Sequence, residues 1–410
     1  MDNDSLKVTM VIPSYWSRDS SIGWKEGDFV YDHPTPLDMD GTLARTLESI
    51  DVLKDKDFQL VVIAVATAED IEKQVEEKIS GIVKAASPNV KVYVIGPSHL
   101  RQIHDMFISE GQQEYCTLLN LHGYSNIRNL CIFIPHVLDS DVAVLIDDDE
   151  VFEDPYFISK AKEFIGRNVD GSIVNAVTGY VINPDGDYKV KKAFQPWMRY
   201  WDKNEKMNET FDKIIGKEPR LKKTSFALGG NMVIHRNLFS AVPFDTNVLR
   251  GEDTDFLINA RMFGFGFFLD NQLAIKHLPP PKSHPVWKRL REDIYRFVYE
   301  QAKINNQKDR IGMTRVYPKD FDPYPGCFLK KDFNEKIEKS CKLLSEEYLA
   351  KGNKNDSKEA LRNIDLAKLD ATPKYDSFER LCLQQKHWKK LMEYTGKSEF
   401  RSCILEVIMG

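Results

Sequence analysis

The first 280 residues alternate between short apolar runs and longer stretches with helical spacing. Residues 8–15 (V-T-M-V-I-P-S-Y) are rich in β-branched side chains and stop at Pro13-Ser14-Tyr15, which predicts a strand. A polar segment with Gly23, Gly27, Pro34 and Pro36 follows and predicts a loop over one edge of a sheet. Leu43, Leu47, Ile50 and Leu53 then recur at helical intervals within 42–53. Residues 58–66 (F-Q-L-V-V-I-A-V-A) are almost wholly apolar, the pattern of a strand buried on both faces. A helix over 69–85, a strand over 90–95, a helix over 126–138 and a strand over 142–146 come next. This order predicts an α/β fold with a mainly parallel sheet flanked by helices. Ligands of such sheets collect beyond the carboxyl ends of the strands.

After Pro184 the pattern changes. Residues 195–215 scatter Trp197, Tyr200, Trp201 and Phe211 among charges. A strand over 225–234, a helix over 251–263 and a Gly- and Phe-rich strand pair over 265–275 are predicted. Beyond Pro279-Pro280-Pro281 the chain reads as mostly helical, with stretches near 332–350 and 375–395 separated by the polar run 351–357. Pro318, Pro323 and Pro325 mark a linker near 315–328.

Composition narrows the class. Lys plus Arg number 57 against 62 Asp plus Glu, a net charge of −5 that gives no global bias towards nucleic acid or anionic membrane. The six cysteines are scattered without a C-x-x-C pair, which argues against a zinc ribbon and for free thiols in a reducing compartment. No basic segment precedes a long apolar run at the start, and no stretch of 18 apolar residues occurs. The expectation is a soluble, cytoplasmic protein.

The strongest chemical signal is V-A-V-L-I-D-D-D-E, a buried strand with Asp147, Asp148 and Asp149 where it emerges. Adjacent carboxylates repel one another, so a bound cation such as Mg²⁺ or Mn²⁺ would relieve the site. On an extended chain Asp147 and Asp149 would share a face that Asp148 opposes. The plainer reading is a solvated acidic loop ahead of a helix at Phe157. Arg250-Gly251-Glu252-Asp253-Thr254-Asp255 opens a helix, where acidic residues are favoured by the macrodipole alone. Gly229-Gly230 permits a close backbone approach to a ligand, or marks a turn. His277 ends a strand and is either structural or a third metal ligand.

Taken in order, P-S-Y after the first strand, S-N-I-R-N opening a helix, L-I-D-D-D-E, G-G-N-M-V-I-H-R, R-G-E-D-T-D-F and the late His resemble the family 2 glycosyltransferases and their GT-A-fold relatives, from residue 7 to about 280. The resemblance implies a GT-A, Rossmann-like domain over 1–282, with a donor half to about 150 and an acceptor half over 151–282; outside it, the pattern of the chain itself predicts a mostly helical region over 283–410. It implies a nucleotide-diphosphate-sugar donor held through Mn²⁺ or Mg²⁺ at the D-x-D position, with a catalytic carboxylate in the E-D pair. The donor contacts it implies are Pro13, Ser14, Tyr15, Asn126, Arg128, Asp147, Asp148, Gly229, Gly230 and Arg250. Metal ligation falls to Asp147, Asp149 and His277. The chain departs from the pattern at 64–68 (A-V-A-T-A), where many relatives carry D-D-G-S and an Asp reads the base. Base recognition must therefore differ here.

On this reading Asp253 is the general base that takes a proton from a carbohydrate or other small hydroxylated acceptor, Glu252 orients that acceptor, and Gly229-Gly230 forms a floor under the sugar. A base opposite the leaving group predicts inversion. The alternatives are a retaining GT-A transferase of the glycosyl-phosphoglycerate-synthase type, a sugar nucleotidyltransferase, and a non-catalytic sugar-binding protein. The nucleotidyltransferase would need a Gly-rich basic loop after the first strand, where this chain has P-S-Y-W-S-R-D-S-S-I-G-W. Trp197, Tyr200 and Trp201 would either stack on an acceptor sugar or pack a helix on the sheet. The basic amphipathic stretch 284–297 reads first as a helix with a solvated face, next as a source of Arg289 or Arg291 for the diphosphate, and last as a membrane-surface helix.

Overall fold

In the computed structural model, which describes residues 6–280 and 285–410, the first apolar run becomes the central strand β1 (Val8–Ser17). The short β2 (Thr35–Pro36) pairs with its end, β3 (Gln59–Ala66) and β5 (Val142–Ile146) flank it, and β4 (Lys91–Ile95) lies outside β3. All of these pairings are parallel. The connecting helices are α1 (Leu43–Ser49), α2 (Glu72–Ala86), α3 (Pro97–Ser109) and α4 (Tyr124–Val137), and α5 (Phe157–Phe164) follows β5. Val11, Val61 and Leu145, level with one another in the register, join α3 and α4 in one core layer. Met10, Leu60 and Val144 point the other way, into a second layer with α1, α2 and α5. Burial on both faces is why these strands carry no polar alternation.

The remaining strands are β6 (Glu150–Val151), β7 (Asn168–Val169), β8 (Ser172–Ile182), β9 (Leu221–Lys223), β10 (Asn231–His235) and β11 (Gly266–His277). The main order is β4-β3-β1-β5-β10-β8-β11-β6. β10 runs antiparallel to β5 and β8, while β11 is parallel to β8, so the sheet is parallel through β5 and mixed beyond it. From β1 the chain moves outward through β3 and β4, then returns to β5 on the other side of β1. Such a reversal opens a crevice beyond the carboxyl ends of β1 and β5.

Three expectations need correction. The strand expected over 225–234 begins only at Asn231, because Thr224 to Leu228 is irregular and Gly229-Gly230 form a turn. The strand pair expected over 265–275 is one strand, β11, with an irregular register between Leu269 and Ala274. The 315–328 stretch is no linker: its turns bury Phe321, Tyr324 and Phe328, and Phe328 stacks on Phe297 at 4.9 Å.

The second half also contains α6 (Lys203–Ile214), α7 (Arg236–Phe239), α8 (Glu252–Met262), α9 (Val286–Asn305), α10 (Phe333–Ala350), α11 (Lys354–Leu369), α12 (Ser377–Thr395) and α13 (Ser398–Met409). α11 starts inside the polar run that separates the two predicted helices. The C-terminal helices pack back on the first part of the chain, against α7 and the turn after α4: Trp388 Nε1 donates to the Phe239 carbonyl at 2.8 Å, and Arg401 reaches Asp139 at 3.2 Å. The boundary expected at 282/283, and Pro281 and His284 of the stretches named above, lie outside the described residues. Among the described residues no helix is long and apolar enough to cross a membrane, and all six cysteines are free.

Candidate active site

β5 ends at Ile146, and the Glu150 N–H donates back to the Asp147 carbonyl at 3.2 Å. The acidic residues therefore stand on a turn, not on an extended chain, and the alternation expected for them does not hold. Their side chains fan apart. Asp148 points back to β1, where Ser14 Oγ donates to its Oδ2 at 2.5 Å. Asp147 Oδ1 accepts from Arg128 Nη2 at 2.7 Å. Asp149 Oδ2 lies 3.3 Å from His277 Nε2. The pairing of β6 with β11 sets Glu150 opposite His277 and so brings the far end of β11 to this turn.

Charge is unbalanced here. Burial first, then the neighbouring Asp149 and Asp147 carboxylates, push the Asp148 carboxyl well above its usual range. Burial and the same two neighbours act likewise on Glu150. Four carboxylates thus meet one guanidinium and one imidazole, which favours a further cation. Hard oxygen donors with one imidazole nitrogen suit Mn²⁺ or Mg²⁺. Asp149 and His277 fit that role as they stand. Asp147 would join them only by leaving Arg128, and no group of three His, Cys, Asp or Glu side chains among the described residues is preassembled around a metal position.

Across from the turn, α8 begins at Gly251, whose φ of 73° favours glycine. A Cβ there would fall 1.9 Å from Arg296 Nη1, so a side chain is excluded twice over. Glu252 is buried and its Oε1 accepts from Arg128 Nε at 3.3 Å. Asp253 is half-buried; its Oδ2 accepts from the Gly229 N–H at 3.3 Å and its Oδ1 from the Thr254 N–H at 2.6 Å. Asp255 belongs to the core instead: with Asp245 it holds the fully buried Lys303 Nζ, at 2.5 and 3.2 Å.

Burial and then Asp253 raise the Glu252 carboxyl from 4.5 to about 7. A raised folded-state value means that the contribution to stability is complete below the unfolded value and is lost as pH rises through the folded one. Glu252→Gln should therefore match the parent near pH 4 and exceed it at pH 8 by up to roughly 3 kcal/mol, read by urea unfolding at the two pH values. A variant equally displaced at both would show that Glu252 does not titrate in this range.

Gly229 and Gly230 stand against the charged groups. A Cβ at Gly229 would approach Arg128 Nη2 to 2.6 Å, and one at Gly230 would approach Glu150 Oε1 to 2.5 Å and Asp147 Oδ2 to 2.6 Å. Gly230→Ala should keep the fold at a cost of about 1 kcal/mol while displacing the acidic turn. Its Mn²⁺ affinity should fall by at least about tenfold, the usual effect of disturbing the groups behind metal ligands. Calorimetry that returns the parent's affinity would contradict this.

These elements surround one cavity of about 960 Å³. Of the residues predicted from sequence, Tyr15, Arg128, Asp147, Asp148, Asp149, Gly229, Gly230, Arg250, Glu252, Asp253 and His277 line it. Pro13, Ser14 and Asn126 do not: Ser14 acts through Asp148, and Asn126 Nδ2 donates to the His122 carbonyl at 2.7 Å. Arg250 is engaged by Asp32 at 2.7 Å and Glu292 at 3.3 Å. Trp197 and Trp201 reach the wall but are largely buried, Trp201 among Phe297, Phe328 and Phe333, while Tyr200 lies in a separate groove under Lys339. Arg289 lines the cavity, whereas Arg291 is held by Glu359 at 2.7 Å on α11. Lys203, Asp293, Arg296 and Tyr324 line it too and were not anticipated. The signal for α9 was present: 286, 289, 293 and 296 fall on one helical face.

Fold and cavity together define an α/β protein with an acidic, cation-seeking turn at the switch point of its sheet and a carboxylate pair on the facing helix. No protein-family model matches the chain, and no curated protein does. Solved structures share its arrangement distantly. They include a mannosyltransferase from Pyrobaculum calidifontis in complex with GDP-Man and Mn²⁺, with a TM-score of 0.47 and 12% identity over 94% of this chain and 87% of that one. A mycobacterial protein follows at 0.40 and 14%, over 73% of this chain and 75% of that one. GalNAc-T7 with UDP, GalNAc and Mn²⁺ gives 0.36 and 12%, over 74% of this chain and 52% of that one. At such values the likeness transfers no role to any residue here.

Proposed function

We propose that the chain is a metal-dependent glycosyltransferase that moves a sugar from a nucleotide-diphosphate donor to a hydroxyl acceptor with inversion at the anomeric carbon. The observation that supports this most is that the acidic turn after β5 and the half-buried Asp253 at the start of α8 face one cavity, with Arg128 joined to both sides of it. A divalent cation held by Asp149 and His277 would stabilise the negative charge that develops on the departing diphosphate. Arg128 acts on the same charge: its Nη1 is buried without a partner, a donor placed for anionic oxygen. Glu252, bonded to Arg128 Nε, is a positioning residue for that guanidinium. Gly229 and Gly230 keep side chains off the floor and let a sugar ring lie against the backbone. Asp253 takes the proton of the acceptor hydroxyl as its oxygen attacks.

A thermal-shift screen of nucleoside diphosphates and their sugars, with and without Mn²⁺, tests this reading. A ligand present at 100 times its dissociation constant adds about 2.7 kcal/mol of stability, so one nucleotide series should stand out, and only with the metal. A protein that binds free sugars but no nucleotide would instead be a sugar-binding module.

A further inference from the structure

α9 turns one face to the cavity, on which Val286, Arg289, Asp293 and Arg296 stand at helical spacing. The carboxylates there are already engaged. Asp293 receives Lys203 Nζ at 2.7 and 2.8 Å, and Glu300 receives Arg296 Nε at 2.8 Å. The guanidiniums are only partly engaged. Arg296 also gives Nη1 to Tyr324 at 3.3 Å, but its Nη2 is buried without a partner although the residue is only 4% exposed. Arg289 makes no ion pair with the described residues, and its Nε is likewise buried and unpartnered. An unmet buried guanidinium N–H is costly, and two of them beside an open cavity are matched by anionic oxygens. Gly251 is what permits the arrangement, since any Cβ there would strike the Arg296 guanidinium.

Arg296 and Arg128 flank the first turn of α8. Arg128 touches Asp147 and Glu252, whereas Arg296 packs beneath Gly251 and reaches Tyr324. The cavity thus has a second cationic wall, apart from the one beside the acidic turn. We infer that the acceptor carries an anionic group, a phosphate or a carboxylate, bound by Arg289 and Arg296 of α9 while its hydroxyl faces Asp253. This rests on the transferase reading for the identity of the acceptor, not for the existence of the subsite.

Calorimetry decides it. Protein saturated with Mn²⁺ and UDP, or GDP if that binds better, is titrated with inorganic phosphate and, separately, with acetate. The expected result is one further anion bound, with phosphate or acetate preferred according to the group recognised. R289Q and R296Q should each weaken it by about tenfold or more, the loss of one charge-assisted bond, and leave nucleoside-diphosphate affinity within about twofold. R296Q removes a buried group, so R289Q, on a half-buried residue, decides if that variant misfolds. No anion uptake by the loaded protein, or an R289Q that weakens the nucleoside diphosphate as much as the anion, overturns the inference. Should neither nucleotide bind, the transferase reading falls, and Arg289-dependent phosphate binding to the unloaded protein still decides the subsite.

Discussion

Asp253→Asn should fold and bind nucleoside diphosphate like the parent, yet turn over about 10²–10⁴-fold more slowly. The amide keeps the size of the side chain and one acceptor oxygen for the Thr254 N–H, 2.6 Å away. It gives up the longer 3.3 Å bond from Gly229, a loss of about 1 kcal/mol. What disappears entirely is the capacity to take a proton. Helix capping does not explain this carboxylate, because the N-cap of α8 is Gly251 and Asp253 lies two positions further on. A variant whose rate stays within a few-fold of the parent would reduce Asp253 to a favourable first-turn charge. Steady-state kinetics beside a nucleotide-binding titration separates the two.

Asp149→Ala should abolish Mn²⁺ binding by the nucleotide complex, by more than the roughly 10–100-fold that loss of an outer-shell contact costs. Of the two proposed ligands, which lie 3.3 Å apart, only His277 would then remain. Stability of the metal-free protein should move the opposite way or not at all. Asp149 is a principal electrostatic cause of the raised Asp148 carboxyl, so its removal relieves repulsion within the turn. Unchanged metal affinity would place the cation elsewhere; a large loss of stability would mean that Asp149 is structural. Calorimetry and urea unfolding on the same preparation give both readings.

The parts of this fold that could be read from sequence are those in which one physical demand dominates. β1, β3 and β5 are buried on both faces, so their apolar runs are continuous, and the acidic turn is visible because it ends such a run. β8 sits in the same sheet and is hidden, because Asn175, Thr178 and Gly179 interrupt it. The sheet satisfies them across strands: Asn175 Oδ1 accepts from the Gly266 N–H at 3.1 Å, and Thr178 Oγ1 donates to the Asn231 carbonyl at 3.1 Å. Gly179 leaves room for the Leu273 carbonyl, which would lie 1.9 Å from a Cβ. Such partners are distant in sequence and leave no local trace.

The site divides in the same way. Asp149 and His277 were legible as candidates because one follows and the other ends an apolar strand, although only the β6–β11 pairing explains why they meet. The charges of α9 lay beyond the stretch of family resemblance: Arg289 was offered only beside Arg291 as a candidate for the diphosphate, and Arg296 was given no role. Their helical spacing alone made no distinction between a solvated face and a cavity wall. The prolines near 315–328 signalled an absence of helix and nothing more. That Tyr324 and Phe328 pack beneath Arg296 and Phe297 depends on tertiary contacts no local pattern encodes.

One assay bears most directly on the proposed activity: the protein is mixed with a panel of nucleotide-diphosphate sugars and Mn²⁺, and the sugar is followed by proton NMR from the earliest time points. Release of nucleoside diphosphate from one donor, dependent on the divalent cation and giving a product of inverted anomeric configuration, is the predicted result. Retained configuration would remove Asp253 from the role of base, and a protein that neither hydrolyses nor binds any of these donors with Mn²⁺ present would contradict the transferase itself.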